Sequence, residues 1–449
     1  MPSDALLTDV LAVVLTGFDV ATLCKIKTVH RAWRRAARHA LWSAHWAPLC
    51  TRVLEVVTRE SREVTVAVVT RLNIASFLKA NGPGVLYAQQ AITYLPAAVV
   101  FHANGTVVDV NRVGELRLAL PALRNGHAGV PDRVCQGRAG LARIEVPLGL
   151  TTIGHHAFAS CTALASVELP AGLTSIGEYA FSYCTSLPSV VLPAGLTSIA
   201  HSAFAGCTSL ASVVLPAGLT SIAHGAFGGC TSLASVVLPD TLTSIGHGAF
   251  AGCTSLASVV LPDTLTSIGP HAFARCTSLA SVELPAGLTS IGVSAFAGCT
   301  TLASVELPAG LTSISDYAFY SCSLLASVVL PAGLTHIGNF AFSNCTSLAS
   351  VNLPAGLRHI GLTHIGNFAF QNCTSLTSVE LPVGLTHIGD YAFRNCMSLA
   401  LVELPAGLTS IGDYAFADCE SLVSVELPAG TSIGRYAFPA GLTTSTAIL

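Results

Sequence analysis

The 449-residue sequence predicts a solenoid of parallel β-strand coils, preceded by a small α-helical domain. Three observations carry that expectation. Cysteines recur every twenty-three residues from Cys161 to Cys345 and again from Cys373 to Cys419, with a single step of twenty-eight between Cys345 and Cys373. Each copy contains one alternating apolar segment of the form L-x-x-V-x-L. The charge also changes character along the chain. Through Glu145 there are seventeen Lys and Arg against ten Asp and Glu, a balance of +7; from Val146 onward there are four against fourteen, a balance of −10.

The elements of one unit follow in order. Leu210, Val213 and Leu215 alternate with small polar residues, the period-two signature of a strand with one buried face. Pro216 ends the strand. Leu219, Ile222, Ala226, Phe227 and Cys230 complete the apolar set. A single unit cannot enclose these side chains, but stacked units bury Leu on Leu and Phe on Phe along a continuous core. Cys230 lies three residues after a core Phe and three before a core Leu, which points it inward as a small apolar filler with a weak S–H donor. Paired C-x-x-C spacings are absent from the solenoid, so the ladder predicts no metal site. Parallel Cβ vectors oppose bridges between neighbouring coils. Asp240-Thr241 and Asp263-Thr264 replace the usual Ala-Gly after proline, and Ala200, Ala223 and Ser315 replace the Gly after Ile, so neither glycine is predicted to be obligatory. This spacing resembles the leucine-rich repeats of the BspA-like type over residues 146 to 438. The resemblance implies coils of parallel strands with short extended or 3₁₀ outer segments instead of full helices. Five extra residues sit in the duplicated phrase of Gly356 to Gly366 and are expected to bulge as a loop.

The first fifty residues read differently. Leu7, Val10, Leu11, Val14, Leu15 and Phe18 fall at helical spacing, and two further short helices follow, the last of them basic. Leu6-Leu7, Val10-Leu11, Val14-Leu15, Phe18-Asp19, Leu23, Val29 to Trp33 and Leu41-Trp42 resemble an F-box, without its opening proline and with His30 where cysteine is usual. That resemblance implies docking on a Skp-type adaptor of a cullin ubiquitin ligase through Leu7, Leu11, Leu15, Val29 and Trp33. Residues 51–140 read as strands around an Asn104-Gly105 turn, either a linker domain or a degenerate N-terminal cap. The solenoid occupies 141–438, and Arg133 to Pro147, at its start, reads as a degraded unit with three extra residues between Cys135 and Leu141 that begins the N-terminal cap. Residues 439–449 form a tail whose apolar character predicts fraying or weak self-association at the C-terminal edge.

The sequence carries no nucleophile elbow, phosphate loop, dinucleotide fingerprint or HExxH motif, which points away from an enzyme and from any cofactor. His201, His224 and His247 form one column of like residues and His336, His364 and His387 another; repeat copying accounts for such columns without a metal. The outward centre of each strand is more informative. It is Val191, Val214, Val237 and Val260, then Glu283 and Glu306, and later Glu380, Glu403 and Glu426, an apolar stripe running into an acidic one on a concave face for a protein partner. The basic residues Lys25, Lys27, Arg31, Arg34, Arg35 and Arg38 suit a solvated helix face or an acidic adaptor better than nucleic acid. The acidic, interrupted N-terminus lacks the pattern of a signal peptide, and no run of about 20 apolar residues spans a membrane. The expected address is the cytoplasm or nucleus. The reading of the whole is a non-catalytic adaptor that recruits a target to a ubiquitin ligase. The alternative is a BspA-like surface, adhesion or structural repeat protein with no ubiquitin role.

Overall fold

The computed structural model describes residues 98–101, 107–110, 115–119, 129–130, 132–146, 150–352 and 361–446. They divide into two compact units, the first ending at Pro193 and the second beginning at Ala194. The F-box-like segment, with Leu7, Leu11, Leu15, Val29 and Trp33, lies outside the described residues. So does the loop expected from the duplicated phrase.

The second unit stacks ten coils, each marked by one buried cysteine from Cys207 to Cys419. Every coil carries two strands, not the single strand that the alternation predicts. The first is a three-residue strand such as Ser235–Val237, which pairs parallel and in register with Ser258–Val260 in a sheet of eight strands ending at Leu401–Val402. The second is a two-residue strand such as Ser244–Ile245, in an eleven-stranded parallel sheet running from Ser198–Ile199 to Ser432–Ile433. Val236 and Ile245 face the core, and the residues beside them face out. Both sheets thus bury one face, except at the terminal strand Ser432–Ile433, where Ile433 is exposed.

The remaining side of each coil is a run of single turns with no helix. Ala226, Gly228, Cys230 and Leu233 donate their N–H groups three residues back, to Ala223, Gly225, Phe227 and Cys230. Between them Gly225, Phe227 and Gly229 donate to His247, Ala249 and Ala251 of the next coil. The backbone is therefore satisfied alternately within and between coils. This zigzag requires left-handed backbone at two positions per coil: Gly225 and Gly229 in one, Phe340 (φ 56°) and Asn344 (φ 63°) in another. Glycine meets that demand without strain, asparagine nearly so, and a phenylalanine only at a cost.

Inside, the Phe rings stack at 5.1 to 5.6 Å from Phe204 through Phe416, nearly parallel, and each is fully buried. The cysteines form a second column beside them. Cys230 Sγ donates to the Phe204 carbonyl at 3.2 Å, and Cys276, Cys322 and Cys396 likewise donate to the carbonyls of Phe250, Phe296 and Phe370. Burial pushes the Cys276 and Cys345 thiols up to about 12. The inward filler expected from the spacing is therefore present, and it is chemically quiet.

The twenty-eight-residue step leaves the ladder intact. His336 pairs with His364 and Ser350 with Ser378, so the second copy of the duplicated phrase enters the sheet. One expectation is corrected. A Cβ added at Gly366 would lie 2.6 Å from the Gly338 carbonyl carbon, and one at Gly389 2.7 Å from the Asn367 nitrogen. On these coils, as at Gly246, Gly269, Gly292 and Gly412, the preceding coil leaves no room for a Cβ without a backbone shift, whereas Ala200, Ala223 and Ser315 hold one at the same position of theirs.

The first unit begins with antiparallel strands. Ala98–Phe101 pairs with Val107–Val110 on either side of the Asn104-Gly105 segment, and Val107–Val110 pairs with Glu115–Ala119. The last of these runs parallel to Arg143–Glu145 and so starts the sheet that the coils continue. The three extra residues after Cys135 add one more single turn: Arg138 N–H donates to Cys135 and Leu141 N–H to Arg138. Burial draws the Arg138 guanidinium down to about 10. At the other end, where the apolar tail predicts fraying, Thr443–Thr446 instead pairs parallel and in register with Ser424–Leu427.

Candidate functional site

Two surfaces of the second unit carry side chains that the core does not use. The first is the outer face of the three-residue strands. Ser, Val and Val of each strand alternate out, in, out, so Val214, Val237 and Val260 stand 58%, 78% and 65% exposed while Val213, Val236 and Val259 are buried. In-register pairing sets Val237 beside Val260, Val260 beside Glu283, and Glu283 beside Glu306. The row continues through Val329, and Glu380, Glu403 and Glu426 are likewise exposed on later coils. In the first unit Val191 is exposed in the same strand position and Glu168 is bridged by Arg143. The alternation thus places every predicted face residue outward, and the apolar-to-acidic change along the row is real.

The second surface is the flank formed by the two-residue strands and the residues just after them. Sequence reasoning found part of it. His201, His224 and His247 lie in one column, and the His271 ring, from the neighbouring repeat position, extends their stack, with ring centroids 4.2 to 5.0 Å apart and tilted. Partial burial and then the neighbouring His247 and His201 hold His224 below its ordinary value; His271 is lowered by burial and then by His247. His336, His364 and His387 stack nearly parallel at 5.2 and 4.5 Å. Here too the middle ring is lowered, by burial and then by its two neighbours. Parallel rings hold their lone pairs side by side, not converging. Among the described residues no three His, Cys, Asp or Glu are placed to hold a metal ion.

Two further features of this flank escaped the sequence: the position of His201, His224 and His247 becomes Asp or Asn on later coils, and the residue after it becomes aromatic there. Asp316, Asn339, Asn367, Asp390 and Asp413 occupy one position on consecutive coils, each Oδ1 accepting the N–H of the next coil's residue at 2.7 to 2.8 Å up to Asp413. The residues that follow them, Tyr317, Phe340, Phe368, Tyr391 and Tyr414, stack at 4.5 to 5.0 Å. The signal was available as a column in the aligned repeats, but the middle coils interrupt it: in the first unit His155 N–H donates to Asp132 Oδ1, Glu178 N–H to His155 Nδ1, and His156 stacks on Tyr179. Among the described residues no helix is long and apolar enough to cross a membrane.

Parallel coils, a stacked Phe column and one inward Leu-x-x-Val-x-Leu strand per turn define a leucine-rich-repeat solenoid. A family profile described as the BspA type leucine rich repeat region matches residues 130–257, 243–363 and 359–446, and the chain belongs to that family. The crystal structure of a leucine-rich repeat protein from Bacteroides ovatus is similar at 30% identity, over 78% of this chain and 98% of that one, with a TM-score of 0.65. A leucine rich cell surface protein from Faecalibacterium prausnitzii shares 24% identity over 76% of this chain and 95% of its own, with a TM-score of 0.43. The pneumococcal vaccine antigen PcpA shares 19% over 78% and 88%, with a TM-score of 0.45. No curated protein matches the sequence.

Proposed function

We propose that the chain is a non-catalytic interaction protein of the surface or adhesion kind, holding a protein partner on its strand face. The observation that carries this reading is the exposed valine row. A solvent-facing strand position is ordinarily polar, and here three consecutive coils place a valine there, followed by Glu283 and Glu306. A partner suited to this face is apolar opposite the valines and basic opposite the glutamates. Family membership over 130–446 supports an interaction scaffold and says nothing of residues 1–129. The ubiquitin-ligase reading rests on residues 1–50 alone. The buried thiols are compatible with an oxidising compartment, because each is fully enclosed, and burial raises those of Cys253 and Cys299 well out of the reactive range.

The test is site-specific photo-crosslinking in cells that express the chain. A cross-linker at Val237 should capture a defined partner that a cross-linker at exposed Ser255, on the turn side, does not. The Val214→Asp, Val237→Asp, Val260→Asp background should abolish capture at neighbouring Ser235. Equal capture from both sides, or none, contradicts the reading. Co-purification with a Skp-type adaptor that disappears in both Trp33→Ala and Leu11→Asp would restore the ubiquitin role in its place.

A further inference from the structure

Three consecutive coils on the flank carry a change on the two-residue strand, within a longer run of Asp and Asn at a second position that extends from Asp316 to Asp413. The outward residue of the two-residue strand is Ser in the coils on either side, Ser313 and Ser410, but His at 336, 364 and 387. In the same coils the position two after the core Ile holds Asn339, Asn367 and Asp390. A shallow, open groove of about 370 Å³ is lined by His364 and His387 on one side and by Asn339, Asn367 and Asp390 on the other. Its floor is made by Gly366, Gly389 and Gly412.

The walls are polar and their hydrogen positions follow from the network. Thr335, Thr363 and Thr386 each give their hydroxyl proton to the threonine carbonyl one coil back, at 2.9, 3.4 and 3.0 Å. Their oxygens therefore accept from Nδ1–H of His336, His364 and His387, at 2.9, 2.8 and 2.7 Å. Each neutral imidazole is left with Nε2 as an acceptor. On the other wall Asn367 Oδ1 and Asp390 Oδ1 are taken by the backbone N–H of the next coil. Asn367 Nδ2 and Asp390 Oδ2 remain available to a ligand. The groove thus offers Nε2 acceptors at His364 and His387, an acceptor at Asp390 and a donor at Asn367 over a bare floor.

We propose that this groove binds a linear, neutral, hydroxyl-rich chain, an oligosaccharide strand lying along the stacking direction. Hydroxyls donate to Nε2 and Oδ2 and accept from Nδ2, so one functional group satisfies every free position. The adjacent aromatic rings stack on one another, Phe368 on Tyr391 at 4.6 Å, so they present edges and are not a stacking platform. Recognition rests on hydrogen bonds. The site is separate from the strand face, and its test is independent of that reading.

The experiment is isothermal titration of the full chain with cellohexaose, hexa-N-acetylchitohexaose and, as the cationic alternative, hexalysine. The proposal predicts that at least one hexasaccharide binds and that its disaccharide binds more weakly, since it spans fewer coils. His364→Ala with His387→Ala, and separately Asn367→Ala, should weaken it about tenfold or more, while His224→Ala on a distant coil leaves it unchanged. All these side chains are at least partly exposed, so circular dichroism should report an unchanged fold. Absence of hexasaccharide binding at about 5 mM, binding indifferent to the groove variants, or binding of hexalysine alone overturns the proposal.

Discussion

Deleting one ring from the middle of the Phe column should reveal how the coils depend on one another. Phe296 is fully buried, with Phe273 and Phe319 each 5.5 Å away and nearly parallel. Phe296→Ala leaves a cavity that two neighbouring coils cannot collapse into without breaking their own register, and removal of a buried Phe costs about 3–5 kcal/mol. Phe438, at the end of the column, is only half-buried and has one partner, Phe416 at 5.4 Å. Its replacement by Ala should cost about half as much, ~2 kcal/mol. Stability in a stacked array is close to a sum of neighbour terms, so the central deletion should also uncouple the coils on either side of it. Urea unfolding followed by circular dichroism should then show two transitions for Phe296→Ala and one for Phe438→Ala. Limited proteolysis should cut the central variant first near its altered coil. Equal costs for the two variants, or a central cost under about 1 kcal/mol, would refute the shared-core argument.

Other perturbations test the turns and the flank. Arg275 holds left-handed backbone (φ 61°) on an exposed turn, so Arg275→Gly should stabilise by about 0.5–1 kcal/mol in the same urea assay. Asn372 is also left-handed; its Nδ2 donates to Asn344 Oδ1 at 2.7 Å, and its Oδ1 accepts from Asn395 Nδ2 at 2.9 Å. Asn372→Ala loses both bonds and strains the backbone, about 2–3 kcal/mol, whereas Asn372→Gly should lose measurably less. His224, His271 and His364 are depressed, so the folded chain binds fewer protons than the unfolded one below the ordinary imidazole value. Stability should fall as pH drops from about 6.5 through the depressed values, read as a lower Tm at pH 5 than at pH 7. His224→Ala combined with His364→Ala should flatten that dependence.

The inward positions were legible because packing repeats them. Leu210, Val213, Phe227 and Cys230 recur with nearly invariant identity, and a side chain locked between two copies of itself leaves little room for change. The second strand was not legible, because Ser244–Ile245 is two residues long and cannot display a period. The left-handed positions were hidden by their own variety: Gly225, Tyr317, Phe340 and His271 meet one backbone demand with different chemistry. Their neighbours explain the tolerance, since aromatic stacking along the flank offsets the strain that a non-glycine residue incurs there. The strand face could be read residue by residue from the alternation. The flank groove could not, because it depends on threonine hydroxyls that fix the histidine tautomer and on glycines set by the preceding coil.

The most direct measurement is thiol counting on the native chain. The sequence has fifteen cysteines, and the thirteen from Cys135 onward are fully buried beside the Phe column. A maleimide added to native protein should modify at most the remaining two, Cys24 and Cys50, with the thirteen reacting together only through the urea transition. Rapid labelling of those thirteen in native buffer, or disulfides linking successive coils, would contradict the stacked core on which the fold and both surfaces depend.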